Sequence, residues 1–92
     1  MNVTINLFGQ LRHLADADQV TLEAAEDGAL LPTLQHLASQ YPEQFTTILF
    51  DEDQQVRSSM MVLINDTAID KANPPQLQDG DAITLLSAIA GG

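Results

Sequence analysis

Hydrophobic and polar positions alternate from the start of the chain. Val3, Ile5 and Leu7 are interleaved with Asn2, Thr4 and Asn6, the two-residue period of a strand with one buried face. The period returns at Val20, Leu22 and Ala24, so residues 2–8 and 19–25 are expected to pair antiparallel across a connection longer than a tight hairpin. From Leu30 the period changes: Leu30, Leu34, Leu37, Ala38 and Tyr41 recur on one helical face. Pro32 fits only a first turn, where its missing N–H is not needed, which places the helix start near Ala29 or Leu30. Pro42 ends regular helix at about Tyr41. The stretch EQFTTILF is ambiguous and compatible with a short helical turn packing Phe45, Ile48 and Leu49 ahead of the acidic loop DEDQQ. MMVLI at 60–64 reads as a continuous apolar strand closed by Asn65-Asp66, with a minor strand at Thr67–Ile69. NPP at 73–75 is a loop, and DGD at 79–81 is a turn opening a last strand, AITLLS.

This order predicts an α+β domain: a mixed sheet of four to five strands with one main helix on one face and the other face largely bare. Val3, Ile5, Leu7, Ile83 and Leu85 face the helix, leaving Thr4, Asn6 and Phe8, and Thr84 and Leu86, on the bare side. Both bare faces run from polar to apolar toward their C-terminal ends. If the first and last strands lie parallel and adjacent, Phe8 and Leu86 form an apolar patch of the kind that marks a partner site; the competing reading is that local loops cover them.

Length and composition narrow the possibilities. Ninety-two residues with 45% hydrophobic content support one small packed domain, near the size where little more than about 60% of the unfolded surface can be buried. Three Lys and Arg against thirteen Asp and Glu give a net charge of −10, which disfavours nucleic acid and anionic membrane as partners. A basic partner protein would be drawn in faster by this field, although the acids also serve simple solubility. There is no cysteine, hence no disulfide and no side-chain persulfide. With no basic leader before MNVTINLF and no apolar run of spanning length, the expected location is the cytoplasm.

Little in the chain suggests catalysis of its own. His13 and His36 are the only imidazoles, and neither falls in a metal-ligand spacing; His36 lies off the apolar helical face and His13 in the connection after the first strand, both expected in solvent. Ser39, Ser58, Ser59 and Ser87 lack any nucleophile-elbow context. No glycine-rich phosphate loop is present, DGD lacks the remainder of a calcium loop, and Asp51-Glu52-Asp53 reads as a solvated loop rather than a metal site.

The ending TLLSAIAGG is the exception. From Ser87 to Gly92 the tail can reach roughly 20 Å when extended. Gly91 and Gly92 have no Cβ to obstruct a narrow channel, so the tail can deliver the Gly92 carboxylate into another protein's active site. A carboxylate becomes electrophilic only after adenylation, and the ATP-binding parts for that step must come from a partner.

The hairpin, helix, further strands, DGD turn and Gly-Gly ending resemble the ubiquitin-like β-grasp fold. LFGQLRHLA at 7–15 and LQDGDAITLLSAIAGG at 77–92 resemble the MoaD/ThiS sulfur-carrier family, with the MoaD branch, the molybdopterin synthase small subunit, closer by the Phe8…Leu11-Arg12 stretch and IAGG. The resemblance implies one domain over 1–92 with a flexible tail at 87–92 and no catalytic site of its own. Gly92 would be adenylated by a MoeB/ThiF-type adenylyltransferase using ATP and Mg, then converted by a sulfur donor protein to a thiocarboxylate. The tail would then enter the large subunit of molybdopterin synthase, with Gly91 required for slimness and Phe8, Leu86, Ile89 and Ala90 contacting partners. No cofactor would be held by the chain itself. Gly9, His13 and Ser87-Ala88 depart from residues common at these positions in the MoaD branch. Thiamine thiazole or another thio-compound as the product, a ubiquitin-like modifier, and a plain interaction module all remain alternatives.

Overall fold

Residues 1–87 are described by the computed structural model of the chain. Strand β1, Asn2–Leu7, buries Val3, Ile5 and Leu7 almost completely and turns Thr4 and Asn6 to the other face. It pairs antiparallel with β2, Gln19–Glu23, in a register that sets Val3 against Leu22 and Ile5 against Val20. Its other edge pairs parallel with β5, Ala82–Ser87, Ile5 meeting Ile83 and Leu7 meeting Leu85. Strand β3, Met60–Ile64, pairs antiparallel with β5 and carries the two-residue β4, Thr67–Ala68, at its far edge. The sheet order is β2-β1-β5-β3-β4, so the first and last strands lie side by side near its centre.

Among the described residues three helices form, the expected main one and two shorter ones: α1, Gly9–Ala15; α2, Leu30–Ser39; and α3, Glu43–Leu49. Helix α2 is the expected main helix, with Pro32 in its first turn; it ends at Ser39, and Tyr41 closes a tighter turn onto the Ala38 carbonyl. No side chain caps its start; there the buried Thr33 hydroxyl donates to the Ala29 carbonyl at 2.8 Å and accepts the Ala25 N–H at 2.9 Å, tying the helix to the preceding loop. The EQFTTILF stretch is helical as α3, burying Phe45 and Leu49, and the Phe45 ring stacks on Tyr41 with centroids 4.9 Å apart.

Helix α1 corrects the expectation of a loop around His13. Gly9, at φ 58°, turns the chain out of β1, and Leu11 drops into the core. At the other end Asp16 takes the left-handed conformation at φ 54°, its N–H reaching the His13 carbonyl and that of Ala17 the Arg12 carbonyl, the paired bonds of a Schellman stop. Tertiary contact with α3 holds this short segment, since isolated helices of seven residues are not stable.

The turns follow the expected chemistry. Asn65 and Asp66 both have positive φ and join β3 to β4. Asn65 also braces β5, accepting the Ala82 N–H at 3.0 Å and donating to Asp81 at 2.9 Å. Gly80 sits at φ 87°, and the flanking Asp79 and Asp81 carboxylates accept backbone N–H groups of Asn2 and Gln78. Asp51 likewise folds its acidic loop by accepting the N–H groups of Asp53 and Gln55.

Candidate functional site

Because β1 and β5 run parallel, both point toward the same end of the sheet. Phe8 follows β1 there and Leu86 lies near the end of β5, one step beyond the Leu7 and Leu85 pair. Phe8 is 50% exposed and Leu86 half-buried, so local loops do not cover the pair. Across β5, Leu86 stands opposite Met61, itself 42% exposed. The three residues make an apolar row over β1, β5 and β3 on the face away from the helices.

The next row back is polar over β2, β1 and β5. Gln19 donates to Asn6 at 2.8 Å, and Asn6 donates to the Thr84 hydroxyl at 3.3 Å. Thr84 in turn pairs with the half-buried Leu63. This ladder links the polar side chains to one another, leaving the apolar row as the part of the face with most to gain from being covered.

Met61 is absent from the sequence expectation. MMVLI is apolar at every position, so its strand shows no alternation to read. The structure imposes one: Met60, Val62 and Ile64 are buried, while Met61 and Leu63 face outward. The available signal was the position of Met61 on a sheet expected to be bare on one face.

Ser87, expected to open the tail, pairs with Met60 at the end of β5. The remaining expected site residues, Ile89, Ala90, Gly91 and Gly92, lie outside the described residues. What the structure places is their point of departure, beside Phe8 and Leu86.

The cations are all engaged. Arg12 forms an exposed ion pair with Asp18 at 2.9 Å, Arg57 donates through Nε to the Thr47 carbonyl at 2.8 Å, and Lys71 is turned onto backbone carbonyls. The outward field is therefore acidic. His13 lines a shallow cleft between α1 and α3 with Leu14, Glu43 and Ile48, whereas His36 is exposed on α2. Ser39 donates to the His36 carbonyl, not to its ring, so the two do not form a nucleophile and base. Among the described residues no group of three or more His, Asp or Glu side chains is arranged to hold a metal ion, and no helix is long and apolar enough to cross a membrane.

A five-stranded mixed sheet in this order, with helices packed on it, is the ubiquitin-like β-grasp architecture. The ThiS family model matches residues 5–92, and the chain belongs to that family of ubiquitin-like sulfur carriers and modifiers. The solution structure of small archaeal modifier protein 1 from Methanosarcina acetivorans is 28% identical with a TM-score of 0.74, over 99% of this chain and 96% of that one. The corresponding Haloferax volcanii protein superimposes with a TM-score of 0.84 at 21% identity over the whole of both chains, a likeness of fold. A complex of subunits 1 and 2 of molybdopterin-converting factor from Helicobacter pylori contains a chain 27% identical, with a TM-score of 0.60 and full coverage of both. No individual curated protein is significantly similar to the chain.

Proposed function

We propose that this chain is a sulfur carrier acting through Gly92, most consistent with the small subunit of a molybdopterin synthase. The observation that carries the reading is the family match, which runs to the last residue and so includes the Gly-Gly ending. A MoeB/ThiF-type adenylyltransferase transfers AMP from Mg-ATP to the Gly92 carboxylate, releasing pyrophosphate. Hydrosulfide released by a sulfur donor protein then attacks the acyl carbon and displaces AMP, losing its proton to buffer and leaving a thiocarboxylate at the terminus. In the synthase step the tail enters the large subunit and gives up this sulfur to a pterin precursor. The chain supplies the acyl terminus and a docking face and performs no catalysis itself.

The apolar row of Phe8, Leu86 and Met61 supports this reading, because it is exposed beside the start of the tail, where a partner that admits the tail would seat. The Helicobacter pylori complex supports a large-subunit partner, being an assembly of two converting-factor subunits. ATP and Mg belong to the activating partner.

A second reading is favoured by the likeness to small archaeal modifier protein 1 from Methanosarcina acetivorans. There the same acyl-adenylate would be attacked by a lysine amine of another protein, giving an isopeptide and AMP. Thiamine thiazole or another thio-compound as final acceptor uses the same first two steps.

The test is to incubate the chain with a MoeB/ThiF-type adenylyltransferase, Mg-ATP and a sulfide donor and measure intact mass. A gain equal to sulfur replacing one oxygen, lost when Gly92 is deleted, is the expected result; no adenylate and no gain would overturn the carrier reading. Gly91→Val in a reconstituted synthase should block sulfur delivery while leaving the fold intact. Isopeptide adducts in place of sulfur transfer would favour the modifier.

A further inference from the structure

The sequence contains one lysine, Lys71, in the connection after β4. Its Nζ donates to the Arg57 carbonyl at 2.7 Å and to the Met60 carbonyl at 2.5 Å, and the group is partly buried. These carbonyls flank the turn that leads into β3, a turn already closed by the Met60 N–H on the Arg57 carbonyl at 3.0 Å. Arg57 is pinned in turn, its N–H on the Leu49 carbonyl and its Nε on the Thr47 carbonyl. The backbone under Lys71 is also held: Asp70 accepts the Ala72 N–H through its carboxylate and the Asn73 N–H through its carbonyl. The lysine stem borders a cleft shared with Leu30, Leu31 and Val56. Both ends of this side chain are therefore fixed, and its ammonium joins the 70–73 loop to the start of β3.

An amine attacks an acyl group through its lone pair, so it must shed a proton and present the nitrogen to a reagent. Two of the three protons on the Lys71 ammonium are committed to carbonyls, and swinging the group outward withdraws a charged donor from both. Hydrogen bonds to charged groups are the stronger kind, and breaking two of them in a partly buried site strongly disfavours the open form.

We infer that Lys71 is a structural clasp closed to acylation, so that the activated chain passes its acyl group or sulfur to other molecules and not to a lysine of a second copy of itself. The second half of this inference rests on the proposed function; the first half does not.

The experiment is acetylation by N-hydroxysuccinimidyl acetate, in which the amine forms an amide, the ester bond breaks and N-hydroxysuccinimide departs with the amine proton left to buffer. The Gln35→Lys variant places a reference lysine at an exposed site on α2, and peptide mass spectrometry follows both lysines in one sample. In the folded protein Lys71 should react at least about tenfold more slowly than the reference, and the two rates should converge in concentrated guanidinium chloride. A folded-state ratio below about threefold, or a slow Lys71 that stays slow in denaturant, overturns the inference. Because the reagent needs no activating enzyme, protection of Lys71 with no thiocarboxylate would sink the carrier reading alone. A carrier with a freely acetylated Lys71 would sink the clasp alone.

Discussion

Met61 on β3 and Leu86 on β5 are direct partners in the antiparallel register, and both face away from the helices at the end of the sheet where the chain leaves β5. With Phe8, which follows the neighbouring strand β1, they place an exposed apolar row beside Ser87, where β5 ends. An extended tail threading a partner would bring that row against the same partner's surface.

Met61→Ala should therefore weaken binding to the adenylyltransferase or to a synthase large subunit by about five- to tenfold, with Tm changed by no more than about 2 °C because the side chain is 42% exposed. Titration calorimetry and a thermal melt measure the two effects; unchanged affinity for both partners would remove Met61 from the docking face.

Thr33→Val preserves shape but deletes the hydroxyl that links the Ala25 N–H to the Ala29 carbonyl at a fully buried site. The half-buried Ala25 N–H is left without this acceptor, at a cost of about 1–3 kcal/mol. For a domain of this size the expected fall in Tm is roughly 5–15 °C, and an unchanged melt would show that the hydroxyl is replaced by water.

Asp16→Gly should stabilise. Asp16 is exposed, adopts left-handed backbone at φ 54°, and places a negative charge at the C-terminal end of α1, where the helix dipole opposes it. Relief of both terms amounts to about 1 kcal/mol, seen as a higher denaturation midpoint in urea. A lower midpoint would mean that the carboxylate makes a compensating contact.

Association with a basic partner should depend on salt. The chain carries a net charge of −10, and its three Lys and Arg side chains are engaged within the fold. Stopped-flow mixing with the adenylyltransferase should show the association rate falling at least about tenfold from low to molar salt, with dissociation little changed. A salt-independent rate would mean that the acids do not steer that encounter.

Much of this architecture was legible in local pattern. Alternation at Val3, Ile5 and Leu7 set the buried face of β1, and Pro32 and Pro42 bracketed α2 because proline's constraints act on its immediate neighbours. DGD read correctly as a turn, since Gly80 needs positive φ and the flanking aspartates accept nearby N–H groups. Helix α1 was missed because seven residues carry too little periodicity, no side chain caps its start, and Asp rather than Gly occupies its left-handed stop.

The sequence by itself determined which segments are strands and which face of β1 is buried. These are properties of periods of two or 3.6 residues and of single turn formers, each decided within a few neighbours. Only the tertiary structure decided that β1 and β5 lie side by side and parallel, that Met61 completes the row begun by Phe8 and Leu86, and that Lys71 is turned inward onto β3. Those outcomes join residues far apart in the chain. They depend on which strand edges and carbonyls remain open once the core has closed, and no local pattern encodes that.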